Sequence, residues 1–310
     1  MNPSTPAAAA ADPAALHEPV LAWYARHGRD LPWRRLTATP WGVFVSEIMS
    51  HQTPLVRVEP VWREWLTRWP TPTDLSCAAP GEAVRAWGRL GYPRRAIRLH
   101  QAAVVMRDRH AGAVPCTPED LLGLPGVGAY TAAAVLAFAF GARSTVVDTN
   151  VRRVLARVVS GRALPAPALT GAESTLATRL LPAENARAAT WNVAAMELGA
   201  LVCTAKAPAC QSCPVADLCA WRAAGSPAYD GPPRRGQPWA GTDRQIRGRL
   251  LALLRDTERP LSGADLAGAW ASDQERRVRC LDSLIAEGLV QRCGADRYQL
   301  PGLAGVAVTA

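Results

Sequence analysis

Lysine is almost missing from this 310-residue chain. Lys206 is the only one, and arginine supplies the rest of the 35 basic residues. Chemistry that needs a side-chain amine, such as a Schiff base, therefore has a single residue to draw on. No apolar run approaches the length of a membrane-spanning helix, which argues against a membrane protein. The Ala/Pro-rich start, residues 1–12, lacks the charged n-region of a secretory signal. No internal repeat is evident, and strand-like runs are few before residue 222. These absences set the expectation of a soluble, cytoplasmic protein.

What is present is positive charge, +9 in all, carried almost wholly by guanidinium groups. Arginine matches phosphate with two parallel hydrogen bonds and stacks on bases, so the balance suits a nucleic-acid partner. A plain compositional bias toward Arg and Ala gives the same count. The eight cysteines are more telling. Four of them, Cys203, Cys210, Cys213 and Cys219, read C-x6-C-x2-C-x5-C. Four thiolates on short, unequal loops suit an iron–sulfur cluster of the [4Fe–4S] type. Structural zinc is the alternative, although it usually shows two close pairs split by a longer spacer, and only Cys210 and Cys213 form such a pair. Disulfides are disfavoured, since nothing points to an oxidising compartment.

Helical periodicity runs through Ala15–His27, Trp41–His51, Leu55–Trp69, Pro80–Leu90 and Arg94–His110. Pro19 is placed in the opening turn of the first helix. Thr117-Pro118-Glu119-Asp120 is a helix start. Leu124-Pro125-Gly126-Val127-Gly128 is a tight turn, followed by a small-residue helix over 129–140 that ends at Gly141. This is a helix–hairpin–helix, and another helix follows Asp148 to about Val159. Residues 223–241 read as a Pro/Gly-rich linker, with Pro232, Pro233, Gly236 and Pro238 among them. Beyond it, helices over 244–256, 263–270 and 274–287, the last opened by a Ser272-x-x-Glu275 capping box, precede two short strands over 289–293 and 297–300. The expected fold is mainly α: a disordered tail (1–14), a helix–hairpin–helix body (15–222), the linker, a winged-helix-like α+β domain (242–301) and a short tail (302–310).

Two carboxylates stand out. Asp148, delivered to a helix N-terminus, is expected to stay ionised through the free amides and the dipole there, although a plain N-cap is the ordinary role. Glu47 lies within the apolar run 43–49, where desolvation favours a protonated acid, unless it merely caps a buried backbone group. One proton donor and one fixed anion is the division of labour for acid-assisted cleavage of a glycosidic bond. Gly126 and Gly128 let a backbone phosphate approach the next helix's free N–H groups.

Several motifs together resemble one family. Leu31-Pro32-Trp33-Arg34, Ser46-Glu47-Ile48-Met49, Gln52-Thr53, Gly88-x-Leu90-Gly91-Tyr92, Leu124–Gly128, Asp148-x-Asn150-Val151 and Met196-Glu197-Leu198-Gly199 occur in the order seen in MutY-type adenine DNA glycosylases. These belong to the helix–hairpin–helix superfamily that includes endonuclease III. The cysteine spacing fits as well, and the resemblance covers about residues 15–222. It implies a six-helix lobe over about 36–145 and a cluster lobe formed by 15–35 with 146–222. It implies double-stranded DNA with A:8-oxoguanine or A:G mispairs as substrate. By the same resemblance Glu47 protonates adenine, Asp148 stabilises the cationic sugar with Asn150 in support, and Trp33, Arg34 and Glu197 line the adenine pocket. Gln52 and Tyr92 then enter the duplex near the opposite base.

In the endonuclease III branch, the Schiff-base lysine follows the hairpin's last glycine by two residues, where this chain has Tyr130. A monofunctional glycosylase is therefore expected. A glycosylase for T or U opposite G, and a non-catalytic iron–sulfur DNA-binding protein, are the other readings. Three departures from the family pattern stand out: His51 replaces a glutamine, Pro93 replaces a tyrosine, and the C-terminal segment is too short for a Nudix-like domain. Arg276, Arg277 and Arg279 on its third helix are candidate DNA contacts, or simply a solvated basic face.

Overall fold

The computed structural model describes residues 13–231 and 239–303. Its helices are α1 (Pro13–His27), α2 (Pro40–Ser50), α3 (Leu55–Arg68), α4 (Pro72–Cys77), α5 (Pro80–Trp87), α6 (Arg94–Arg109) and α7 (Pro118–Leu122). They continue with α8 (Ala129–Phe140), α9 (Thr149–Val158), α10 (Gly171–Arg179), α11 (Asn185–Leu201), α12 (Ala220–Ala223), α13 (Asp243–Arg255) and α14 (Gln274–Ala286). The strands β1 (Leu261–Ser262), β2 (Gln291–Arg292) and β3 (Arg297–Gln299) all follow residue 260. Among the described residues no helix is long and apolar enough to cross a membrane.

Threonine followed by proline starts several of these helices. Thr39, Thr71 and Thr117 each accept the backbone N–H of the residue three positions on, and the next residue is a proline already set at a helical φ. Thr71 with Asp74, and Thr170 with Glu173, complete reciprocal capping boxes at α4 and α10. None of α4, α10 and α11 was assigned from periodicity.

The described chain divides into two compact units: residues 13–37 with 128–231, and residues 38–127 with 239–303. In the first, Leu16, Val20 and Trp23 of α1 and Val151, Val154 and Leu155 of α9 pack around Trp191, Ala194 and Leu198 of α11. In the second, tryptophans dominate. Trp65 meets both Trp69 and Trp87 edge-on, and the indole N–H groups of Trp41 and Trp62 donate to the carbonyls of Trp69 and Gly42. Trp41 and Trp62 thus bury a large apolar face while their one polar atom is satisfied, whereas the buried indole N–H of Trp65 has no hydrogen-bond partner.

The C-terminal segment of the second unit places α13, a 3-10 helix over Asp265–Ala269 and α14 against an antiparallel sheet of order β1-β3-β2. This is the winged-helix arrangement. It is pinned to α5 of the same unit: Arg85 donates to the carbonyls of Arg255 and Thr257 (2.9 and 3.0 Å), Arg255 donates to Val84 O (3.0 Å), and Gly81 N–H donates to Pro301 O (2.7 Å).

Some expectations need correction. Pro13 and Ala14, assigned to the disordered tail, already belong to α1, so Pro19 lies inside the helix rather than in its first turn. The segment 263–270 is not an α-helix but a 3-10 turn preceded by β1, which completes the sheet. Asp273, not Ser272, caps α14, accepting from Arg276 N. The tail over 1–12, most of the tail over 302–310, and linker residues Pro232, Pro233, Gly236 and Pro238 lie outside the described residues.

Candidate active site

Asp148 is the N-cap of α9. Its Oδ1 accepts from the backbone N–H groups of Asn150 and Val151 at 2.8 and 2.7 Å, and its Oδ2 accepts from the Asn150 side-chain amide at 2.7 Å. The sequence suggested a carboxylate eased into ionisation, but the balance goes the other way. Burial pushes the Asp148 carboxyl above the ordinary aspartate value, although these hydrogen bonds and Arg153 pull it down. A carboxylate held so, poorly solvated and rigidly placed, gains more from a nearby developing cation than a hydrated one does.

Behind Asp148, Arg153 ties the local structure together. It donates to Asn150 Oδ1 (2.8 Å), Gly199 O (2.6 Å) and Cys203 O (2.6 Å), and so links the support of Asp148 to the first cysteine of the four-cysteine segment. Sequence reasoning missed Arg153; its one signal is the i, i+3 spacing from Asn150, which puts both on one face of α9. Gly199 is needed for this approach, since an added Cβ would lie 2.7 Å from Asn150 Cβ and 2.8 Å from Asn150 O. Gly199→Ala is expected to force α9 away from α11, lowering stability by about 1–3 kcal/mol as overpacking does. Base release should slow with it. Thermal melting and single-turnover rates check both.

Glu197 on α11 is 1% exposed and sits between two arginines. Arg29 grips it from Nε and Nη2 (2.9 and 2.6 Å), and Arg34 reaches its Oε1 from Nη2 at 3.0 Å. Arg29 is a second residue that sequence reasoning missed. Trp33 is buried beside Arg34 in the short 3-10 turn Pro32–Arg34, and Arg34 Nη1 is buried with no partner. The first unit thus gathers Trp33, Arg34 and Glu197 with an unspent donor, which suits a base with ring-nitrogen acceptors. Burial acts to raise the Glu197 carboxyl, but the hydrogen bonds and charges of Arg29 and Arg34 outweigh it and hold the group below the usual glutamate value. The folded value is the lower one, so the charged carboxylate stabilises the fold above the unfolded value of 4.5, and this contribution fades as pH falls through the folded value. Glu197→Gln should therefore flatten the acid side of the melting-temperature profile. At neutral pH it should cost toward the low end of about 3–5 kcal/mol, because the exposed part of Arg29 remains solvated.

Tyr130, in the first turn of α8, packs with Ala134, Ala137 and Val146. Gly128 is the N-cap of α8. Lys206 is exposed between Cys203 and Cys210.

In the second unit, Glu47 is buried on α2, where every residue from Trp41 to Met49 is buried. Gln52 and Tyr92 are exposed, and both carry a left-handed backbone, with φ of +53° and +47°. Neither side chain favours that region, so two independent loops hold strain at the two residues assigned to enter DNA. Arg95 organises both loops: it donates to the carbonyls of Ile48, Met49, His51 and Gly91 and to Thr53 Oγ1, with its guanidinium 5.4 Å from the Tyr92 ring. Burial, reinforced by Arg95, keeps His51 below the ordinary imidazole value. A neutral imidazole keeps one donor and one acceptor, as the amide of the glutamine it replaces would. Gly126 has φ +84°, and an added Cβ would lie 2.9 Å from Arg98 Cβ.

The four cysteines Cys203, Cys210, Cys213 and Cys219 line one small pocket with Arg157 and Trp221. Arg157 donates to Cys203 Sγ at 3.4 Å, and its guanidinium lies 4.8 Å from the Trp221 ring. Among the described residues no three His, Cys, Asp or Glu side chains are placed to share a single ion. Four thiols facing a common void fit a polynuclear cluster better than one zinc ion.

Residues 45–176 match the HhH-GPD superfamily of base excision DNA repair proteins, and residues 203–219 match the iron–sulfur binding domain of endonuclease III. An adenine DNA glycosylase of Mycobacterium tuberculosis is 52% identical over 283 residues, covering 91% of this chain and 92% of its own. The chain belongs to the adenine DNA glycosylase family. An adenine DNA glycosylase of Mycolicibacterium smegmatis is 50% identical, covering 91% of this chain and 95% of its own. An alignment of 283 residues cannot fit between residues 13 and 231, so the mycobacterial similarity extends into the winged-helix segment. Among solved structures, a thermostable thymine-DNA glycosylase superimposes with a TM-score of 0.62 at 28% identity, over 68% of this chain and 97% of its own. As a member of this family the protein is a DNA N-glycosylase of base excision repair that binds DNA and carries a [4Fe–4S] cluster.

Proposed function

We propose that this protein excises adenine mispaired with 8-oxoguanine or guanine, hydrolysing the N-glycosidic bond and leaving an abasic site. The observation that carries the reading is Asp148, fixed by three hydrogen bonds at the head of α9, in a chain that follows its hairpin with Tyr130 rather than an amine. Glu47 protonates the adenine ring, so that the electrons of the breaking bond are accepted by a neutral leaving group. Asp148, oriented by Asn150, stabilises the oxocarbenium ion until water adds to the sugar carbon. Tyr130 packs where a nucleophile would otherwise stand. Trp33, Arg34 and Glu197 hold the flipped base, and Gln52 and Tyr92 occupy the space it leaves, offsetting an unstacking cost of a few kcal/mol. Gly126 and Gly128 bring backbone N–H groups close to a phosphate.

Cys203, Cys210, Cys213 and Cys219 hold the cluster. Bound there, it supplies a rigid anchor for the loop over 203–219, and through Cys203 and Arg153 for Asn150 as well. The protein works as a monomer on cytosolic, nucleoid DNA. Single-turnover assays on duplexes with A:8-oxoguanine, A:G, T:G and U:G test the reading. Release from the two adenine duplexes and none from the others is expected; T:G cleavage exceeding A:G would instead favour the activity of the thymine-DNA glycosylase it superimposes on.

A further inference from the structure

Two loops of the second unit, far apart in sequence, each hold one residue in the left-handed region, Gln52 at φ +53° and Tyr92 at φ +47°. A non-glycine residue stays there only where its surroundings over-determine it. Both sets of surroundings lead to one side chain. Arg95, in the first turn of α6, brackets Gln52: its Nη1 donates to His51 O at 2.7 Å and its Nη2 to Thr53 Oγ1 at 2.9 Å. The same Nη2 donates to Gly91 O at 3.1 Å, and the Arg95 backbone N–H donates to Tyr92 O at 3.0 Å, so Tyr92 is bracketed as well. The guanidinium lies 5.4 Å from the Tyr92 ring and 5.2 Å from that of buried Trp87, whose indole N–H also donates to Gly91 O.

Arg95 has a third attachment. Its Nη1 also reaches Ile48 O and Met49 O, at 2.8 and 2.9 Å. These carbonyls belong to the last turn of α2, where no helical N–H is left to serve them, and they follow Glu47 directly in the chain. A cation at a helix C-terminus also complements the helix dipole. Burial lowers Arg95 to about 10, so it stays charged at neutral pH. One planar group thus closes the helix that carries the acid and fixes both strained loops. A lysine, with its donors at a single point, cannot span the three attachments.

We propose that Arg95 is a positioning residue for base extrusion, holding Gln52 and Tyr92 ready to enter the duplex and in register with the helix that bears Glu47. The inference rests on reading Gln52 and Tyr92 as the residues that enter DNA. Their strained backbones are set during folding, so DNA meets loops that are already ordered, and the ordering cost does not fall on the insertion step. Released from Arg95, both residues relax toward negative φ and must be reordered against the duplex. Extrusion is therefore the step that Arg95 governs.

The test uses the full, cluster-loaded chain and an 8-oxoguanine duplex in which a non-cleavable adenine analogue stands next to 2-aminopurine, whose fluorescence rises when its neighbour unstacks. Stopped-flow mixing then reads extrusion with no contribution from cleavage. Arg95→Gln should slow the fluorescence rise by about 10²-fold, the cost of misplacing a positioned group. Because Arg95 acts through the wedge, the same change made in a Gln52→Ala/Tyr92→Ala chain should alter the rate by no more than about twofold, whereas independent losses would add. Equal slowing in both backgrounds would assign Arg95 a general structural role and overturn the proposal. Wild-type extrusion by Arg95→Gln, with slow extrusion by Gln52→Ala/Tyr92→Ala, would overturn it while leaving the wedge reading intact. Wild-type extrusion by Gln52→Ala/Tyr92→Ala would show that the wedge reading itself fails and takes the proposal with it. If Arg95→Gln melts early, Arg95→Lys, which keeps the charge and a donor for the α2 carbonyls, is read in the same cycle.

Discussion

Glu47→Gln is expected to reduce single-turnover adenine release by roughly 10²–10⁴-fold, the range contributed by a positioned general acid. Mispair binding should stay within a few-fold of wild type. The change keeps the side chain's shape and removes only the transferable proton. It also adds no charge to a position that is 9% exposed and surrounded along α2 by buried residues, so the fold should survive. Gel-shift affinity for a mispaired duplex and release of labelled adenine, measured on one preparation, separate the two effects. Loss of binding together with catalysis would mean that Glu47 shapes the site instead of donating a proton. Undiminished release would move the acid role to another group.

Asp148→Asn carries the second large effect, and its stability change should have an unusual sign. Asparagine is as good an N-cap as aspartate, so α9 keeps its first turn. Burial raises the Asp148 carboxyl in the folded chain, so the folded state binds its proton more tightly than the unfolded one. Such a group favours the fold at low pH and loses that contribution as pH rises through the folded value, which makes the charged form a burden at neutral pH. Removing the charge should therefore leave the melting temperature unchanged or raise it at pH 7. Excision should fall by about 10²–10³-fold or more, as the oxocarbenium ion loses its counter-charge. Asp148→Ala gives the contrast: the same catalytic loss, with about 1 kcal/mol of cap stability lost as well. Melting curves at pH 5 and pH 7, set beside excision rates, resolve these outcomes. An Asn variant that is both less stable and still active would show that Asp148 is only a cap.

Much of the fold was readable because local chemistry and global packing agree. Thr117-Pro118, the hairpin glycines and the apolar periodicity of α2, α3 and α6 each point to one structure. The short α4 and the α10 helix were overlooked although Thr71-x-x-Asp74 and Thr170-x-x-Glu173 announce their caps; their apolar stripes are too brief for periodicity to register. The winged helix was legible in outline, but β1 is two residues long, and pairing with β3 defines it instead of any alternation of its own.

The site divides along similar lines. Residues whose type is unusual for their place, such as a Glu in an apolar helix or four cysteines in seventeen residues, show in the sequence. Arg29 and Arg153 did not, because arginine is everywhere in this chain and their roles depend on partners 168 and 46 to 50 residues away. The direction of the Asp148 shift was also out of reach, since burial decides it against the visible capping amides. The strain at Gln52 and Tyr92 is likewise a property of the loops that Arg95 holds, not of either residue.

The most direct single measurement follows the wild-type enzyme on an A:8-oxoguanine duplex, quantifying free adenine and strand breaks with and without alkali, alongside borohydride trapping. Free adenine matched by breaks that appear only after alkali, with no trapped enzyme–DNA adduct, is the expected result. An adduct captured by borohydride, or breaks formed without alkali, would contradict hydrolysis supported by Glu47 and Asp148 and would require an amine nucleophile that the hairpin does not supply.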